Sequence, residues 1–500
     1  MLFYGGGQLK YLEYLYSLVW GIPALVLILG VGLWLSLSTG WIQLRWLPKA
    51  LKCFIRQLSQ KDDHSGVSQF RALCTALAAT VGTGNLAGVA GAMTIGGPGA
   101  IFWMWICGLL GMIIKFAEAT LAVHFRTKDS KGEWIGGPMH MIRNGLPRNC
   151  WFLATLYSIF GLVAAFGVGN ATQVSTMIAG INEILPLLGM RISQRGNLIM
   201  GLLLAALVAI LLLGGAKRIG QAAELLIPFA ACLYLLLGGI VLVMRFDALP
   251  DAFLAIFRGA VSPRAVTGGA VGSMVMALRT GISRGVFTNE AGMGTASMAH
   301  AAAEVCHPTD QGLMGIVEVF LDTIVICTMT ALVILCSGVP IPYGADAGIE
   351  LTTAAFSTVL GNWVCIVIAF SVCLFALATV LGWGLYGMRC AQYLFGDRAW
   401  RVFVYLQILA IIFGAVCKAQ SIWLAAEILN GLMAIPNLIA LLALTPVLQR
   451  LLKQKTTGGY YESFHQCQSL LLFSYAHVSP LGSGGQGSRQ DHLSSEHWSA

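Results

Sequence analysis

Apolar residues run along this chain in blocks of about twenty or more with hardly a charge among them, a pattern that predicts helices crossing a bilayer. Leu15 to Leu37 carries no charge. Ala72 to Ile114 is charge-free for 43 residues, enough for two helices, with the turn expected at Gly96, Gly97, Pro98 and Gly99. Further spans are expected at Asn149 to Asn182, Asn197 to Ala216, Leu225 to Met244, Ala265 to Ala302, Leu313 to Leu335, Leu351 to Met388, Val402 to Cys417 and Ile428 to Leu448, which makes eleven. Between them, Trp41 to Leu58 is amphipathic, with Arg45, Lys49, Lys52 and Arg56 three to four residues apart, and should lie along the membrane interface. Pro250 to Phe257 is expected to do the same on the opposite side. The Ser/Gly/His-rich stretch 451–500 shows no sustained pattern and is expected to be mobile.

Composition agrees with the pattern. Of 500 residues only 52 are Lys, Arg, Asp or Glu, about 10%, and hydrophobic residues make up 57%. So few charges cannot dress a water-soluble surface of this size, which excludes a soluble enzyme, a nucleic-acid binder and a disordered scaffold. The thirteen Cys are scattered through apolar runs without a C-x-x-C pair, and read as small buried residues rather than disulfides or metal ligands. The net charge of +8 is topological. With the N-terminus outside, nineteen Lys and Arg fall in inside loops and seven in outside loops, so N-out, C-in is the predicted orientation.

Two segments break the rule that lipid-embedded helices avoid runs of glycine and polar residues. One is Thr80-Val81-Gly82-Thr83-Gly84-Asn85 in the second span. The other runs from Gly281 to Gly292 in the seventh and contains Arg284, Phe287, Asn289 and Glu290. Irregular backbone at membrane depth survives only inside protein or along a cavity. A single such match would be read as close helix packing through small residues. Here Ala76-Leu77 leads to Gly82, Asn85 and Gly88, and Ala277-Leu278 leads to Gly285, Asn289 and Gly292. Five spans start at each point, so the second half would run inverted relative to the first. Matched interruptions in two such halves point to a transporter's binding site.

The break itself suits a zwitterion. A restarted helix exposes N–H groups that favour a carboxylate, and the end of the preceding half exposes carbonyls that suit a cation. Thr83, Gly84 and Asn85 are placed to supply the donors. Among intramembrane charges, Lys115 and Glu118 at i, i+3 are expected to pair. Arg284 and Glu290 would latch a gate or tie down unwound backbone, and Glu318 and Asp322 lie one turn apart on the eighth span.

At these positions the chain resembles the alanine/glycine:cation symporter family. The stretches that carry the likeness are Ala76 to Gly88, Gly96 to Trp103, Lys115 to Ala119, Gly136 to Met139, Arg284 to Gly292, and Leu381 to Trp383. The resemblance implies an all-α polytopic membrane protein with a LeuT-type 5+5 inverted repeat. It divides the chain into an extra N-terminal helix (1–40), an amphipathic segment (41–69), a first five-helix repeat (70–246), an external connector (247–264), a second repeat (265–450) and the tail (451–500). It implies sodium-coupled uptake of a small neutral amino acid, alanine or glycine, across a bacterial inner membrane, without ATP, nucleic acid or a bound cofactor. A proton-coupled or uncoupled permease of the same fold is the alternative. It further implies that Ala78, Val81 and Thr379 hold sodium, with Thr80 at a second cation position. Gln173 would touch the substrate together with Thr83, Gly84 and Asn85, and Phe287 and Trp383 would form the pocket's apolar walls. The chain departs from the family pattern at Ala378, where a hydroxyl is usual, and at Met388, where a Glu is usual. No Walker-type phosphate loop and no cluster of catalytic residue types is present.

Overall fold

The computed structural model describes residues 6–58, 66–185, 193–261, 274–345, 347–416 and 420–457. Met1–Lys453 forms one compact unit, and the remainder from Gln454 is a separate one. The expectation for the tail falls almost wholly on residues outside those described.

Two short helices, α1 (Gly6–Val19) and α2 (Ile22–Thr39), begin the chain; α2 opens on Pro23 and stops at Gly40, whose φ of 66° only glycine adopts freely. The basic segment folds as α3 (Ile42–Arg45) and α4 (Leu47–Leu58). Next, α5 (Gln69–Thr80) starts on a Ser68 cap that accepts from the Arg71 amide, and after a break α6 (Val89–Gly96) continues it through a wide π-type turn at Gly84–Gly88. A long helix α7 (Gly99–His124) leads to a small hairpin, β1 (Thr127–Lys128) against β2 (Trp134–Ile135), which the apolar pattern did not suggest. Then come α8 (Pro138–Gly145), α9 (Trp151–Phe166), α10 (Thr172–Ile184), α11 (Gln194–Leu212), α12 (Gly215–Met244) and α13 (Leu249–Val261). The second half contains α14 (Met274–Asn289), the one-turn α15 (Ser297–His300), α16 (Pro308–Val319), α17 (Thr328–Ser337), α18 (Ile349–Leu360), α19 (Val364–Phe395), α20 (Ala399–Val416), α21 (Gln420–Ala443) and α22 (Thr445–Thr457).

Among the described residues nine helices are long and apolar enough to cross a membrane, and a tenth if the α5–α6 pair, bent by 54°, is one span. The seventh expected span starts at 265, but 262–273 lie outside the described residues, and α14 carries Arg279 and Arg284. Large apolar side chains such as Leu203, Leu225, Phe229, Val243 and Leu409 point outward, as the outer surface of a membrane-spanning bundle requires. Polar groups turn inward: Asn85, Lys115, Glu118, Glu318 and Asp322 are all buried. Among the described residues ten cysteines are free thiols; Cys74, Cys107, Cys327, Cys336 and Cys390 are buried as expected, whereas Cys232 is exposed, and Cys306 departs from the expectation in being disulfide-bonded.

The second interruption is shorter than the sequence suggested. The helix runs unbroken through Gly281 and Gly285 to Asn289. Those two glycines serve close packing, because a Cβ at Gly281 would lie 2.2 Å from the Ala100 carbonyl and one at Gly285 would lie 2.9 Å from Cys107. Backbone irregularity begins only at Glu290, whose φ of 51° is left-handed, and continues through Gly292 at 95° and Gly294 at 76°.

Candidate functional site

Everything at the first break follows from one diverted amide. In an unbroken helix the Gly82 N–H would donate to the Ala78 carbonyl. Here it donates to Asn85 Oδ1 at 2.9 Å. The Ala78 carbonyl loses its helical donor, the chain unwinds at Val81 and Gly82, and the helix restarts at Gly84. Asn85 is itself anchored from behind: its Nδ2 donates to the carboxylate Oδ1 of Asp322 at 2.7 Å and to the Asp322 carbonyl at 3.2 Å. Asn85 is expected, with Thr83 and Gly84, to supply donors to the substrate. Its side chain is fully buried and bound to the Gly82 amide and to Asp322.

In front of the break lies a small cavity. Its volume is ≈ 30 Å³, space for roughly two or three waters. Of the residues expected at the site, Thr80, Thr83, Gly84, Gln173, Phe287, Thr379 and Trp383 all line it. Gln173 Oε1 accepts from the Thr83 hydroxyl at 3.4 Å, while its Nε2 donates to the Val168 carbonyl at 3.3 Å. Trp383 is almost completely buried and packs on bare backbone, since a Cβ at Gly169 would come within 2.2 Å of it. Thr379 Oγ1 donates to the Phe375 carbonyl and faces Gly82, whose added Cβ would lie 3.0 Å from that oxygen. Ala78 and Val81 are buried in the backbone immediately behind, where only their carbonyls could act. The wide turns at Gly84–Gly88 and Gly167–Ala171 border this cavity, and a third at Phe320–Cys327 carries Asp322. Such widenings frequently mark functional sites because they leave main-chain groups off the regular ladder.

The second break is held by charge. Glu118 Oε1 accepts from the amides of Gly292 and Gly294, at 3.0 and 3.1 Å, and from Asn437 Nδ2 at 2.7 Å. This corrects the expected Lys115–Glu118 pair. Lys115 instead donates to Glu318 at 2.9 Å, and the other Glu318 oxygen meets His300 Nε2 at 2.9 Å. Local i, i+3 spacing suggested the wrong partner because α16 packs against α7 and presents a carboxylate nearer to the ammonium. Glu290 binds the Thr295 hydroxyl through Oε2 and also lines the cavity.

The model of the family described as the sodium:alanine symporter family matches residues 8–464. The chain belongs to that family. Over 437 residues it is 41% identical to the sodium/alanine symporter AgcS of Methanococcus maripaludis, a match covering 86% of this chain and 93% of that protein. It is 42% identical over 438 residues to an uncharacterized transporter of Haemophilus influenzae, covering 86% of this chain and 92% of the other. A nucleobase-cation-symport-1 family transporter, solved in a closed conformation with bromovinylhydantoin bound, superposes with a TM-score of 0.51 over 79% of this chain and 95% of that one. At 13% identity that likeness speaks for the fold alone. The chain is thus a multi-pass membrane transporter and not an enzyme.

In this sodium:alanine symporter family member the cavity also contains residues that sequence reasoning did not place there: Ala79, Val168, Glu290 and Asn430. Asn430 is buried, and its Oδ1 has no hydrogen-bond partner among the described residues. The signal for Asn430 was present as an amide inside an apolar span. Nothing local distinguished it from Asn437, which faces the second break.

Proposed function

We propose that this protein is a sodium-coupled symporter that carries a small neutral amino acid, alanine or glycine, into the cell. The observation that carries the reading is the composition of the cavity at the first break. Thr83 and Gly84 open the restarted helix and offer amides to a carboxylate. The Glu290 carboxylate and the Asn430 oxygen, which line the same cavity, offer acceptors to an ammonium. Phe287 and Trp383 leave little room for a side chain. The cation would be held by the Ala78 and Val81 carbonyls and the Thr379 hydroxyl, with Thr80 beside a second position; oxygen ligands suit a hard cation. The architecture that fits this mechanism is eleven spans, one N-terminal helix followed by two inverted sets of five, with the N-terminus outside and the C-terminus inside. The test is uptake of labelled alanine and glycine into proteoliposomes under separately imposed sodium and proton gradients. Uptake that follows the sodium gradient is expected. Uptake driven by the proton gradient alone would replace this reading with a proton-coupled permease in which Glu290 carries the proton.

A further inference from the structure

A second cavity opens beside the far end of α19 and, at ≈ 90 Å³, is larger than the first. It is walled by the β1–β2 hairpin, the turn between α11 and α12, the end of α19 and the start of α20. Arg389 reaches it from α19. Only 7% of that residue is exposed, and its guanidinium makes a single hydrogen bond among the described residues, from Nη1 to Gln392 Oε1 at 2.9 Å. A guanidinium carries five donors on a rigid fork that matches a carboxylate, so most of its capacity stays open while it is almost out of water.

The surrounding carboxylates of Glu133, Asp129 and Asp397 act on Arg389 through their charge, but among the described residues none of them takes a hydrogen bond from its guanidinium. Asp129 Oδ1 is taken by the amides of Lys131 and Glu133, at 2.9 and 3.0 Å, and Asp397 Oδ2 accepts from the Ser130 amide at 3.1 Å. Glu133, at an exposed position on the rim, makes no side-chain hydrogen bond among the described residues. The Lys131 ammonium sits 5.2 Å over the Trp400 ring. A bare anion would meet three carboxylates in this cavity, and a bare cation would meet Arg389 and Lys131. A small molecule bearing both charges meets neither difficulty. Space for roughly six to nine waters suits a small amino acid. The place is also suggestive, because Arg389 lies six residues beyond Trp383, about 9 Å along the same helix.

We infer that this cavity is a second binding site for an α-amino-acid zwitterion, with the carboxylate on Arg389 and the ammonium on Glu133. It lies along α19 between the central cavity and the face that bears the basic loops. The choice of an amino acid as ligand rests on the proposed function; the charge arrangement does not.

Equilibrium binding of labelled alanine to the purified full chain, with and without sodium, tests this. Two sites per chain are expected, one sodium-dependent and one sodium-independent. Arg389→Gln should weaken the sodium-independent site at least tenfold and leave the other in place. Glu133→Gln, at an exposed position where folding is not at risk, should weaken the same site several-fold. Propionate, which lacks the ammonium, should compete there at least tenfold less well than alanine. A sodium-dependent site alone, a sodium-independent site indifferent to both substitutions, or propionate competing as well as alanine would each overturn the inference. A sodium-independent site that responds as expected, found without a sodium-dependent one, would support it while counting against the central-site reading.

Discussion

Asn85→Ala is the sharpest test of how the break works. The substitution removes the acceptor that draws the Gly82 amide away from the helix, so that amide can return to the Ala78 carbonyl. The carbonyl proposed as a sodium ligand is then occupied by a hydrogen bond worth about 0.5–1.5 kcal/mol net. Sodium must displace it, which raises the concentration for half-maximal uptake roughly two- to tenfold. Separately, Asp322 Oδ1 loses its donor in a buried place, at a cost of about 1–3 kcal/mol that should lower the melting temperature. Asn85→Asp keeps an acceptor for Gly82 but sets one carboxylate against another, and adding Asp322→Asn restores a donor facing an acceptor. The double variant should therefore recover much of the stability and sodium dependence lost in Asn85→Asp alone. The assays are uptake against sodium concentration and thermal melting of the purified variants. An unchanged sodium curve in Asn85→Ala, with alanine affinity falling at saturating sodium, would refute the argument and return Asn85 to the substrate.

Trp383→Ala should weaken alanine binding by about 1–3 kcal/mol while letting leucine and methionine compete, because the cavity gains the volume of a buried indole; unchanged competition would show that the ring does not limit substrate size. Ala378→Thr adds a hydroxyl beside Thr379 and should lower half-saturating sodium about fivefold, a gain of ~1 kcal/mol, with substrate affinity at saturating sodium unaltered; identical sodium curves would remove position 378 from the ion site. On α8, outside the spans, burial together with the nearby Arg389 and Arg143 guanidinia lowers the pKa of His140 from 6.5 to about 4. The unfolded chain then binds the proton more readily, so the stability this neutral imidazole confers is complete above pH 6.5 and is lost as pH falls through about 4. The effect is at most about 3.4 kcal/mol, and less because the ring is partly exposed. His140→Gln should flatten the melting-temperature profile between pH 7 and 4, and parallel profiles for the two proteins would contradict this.

Much of the molecule could be read from the chain alone, for a physical reason. A bilayer forbids unpaired backbone groups and exposed charge over some thirty ångströms, so spans appear as long apolar runs and exceptions stand out. That is why Thr80 to Asn85 was visible as a break, and why Gln173 stood out as an amide in apolar surroundings. Glycine is ambiguous on the same evidence: Gly281 and Gly285 looked like part of a second break and proved to be packing surfaces for α7. A missing side chain can serve an open backbone or a close neighbour, and only the neighbour tells which.

Partnership was what tertiary structure decided. Sequence spacing put Lys115 with Glu118, yet the ammonium takes Glu318 from another helix and Glu118 binds the unwound backbone at Gly292 and Gly294. It put Asn85 at the substrate, yet Asp322, 237 residues away, holds that amide behind the break. It did not distinguish Asn430 from Asn437, which face different parts of the core. The sequence by itself determined that this is a polytopic membrane protein with broken backbone at membrane depth, because those properties follow from local chemistry in lipid. Which charge neutralises which, and which amide meets a ligand, depended on long-range packing, since a hydrogen bond is decided within about 3 Å between helices far apart in the chain.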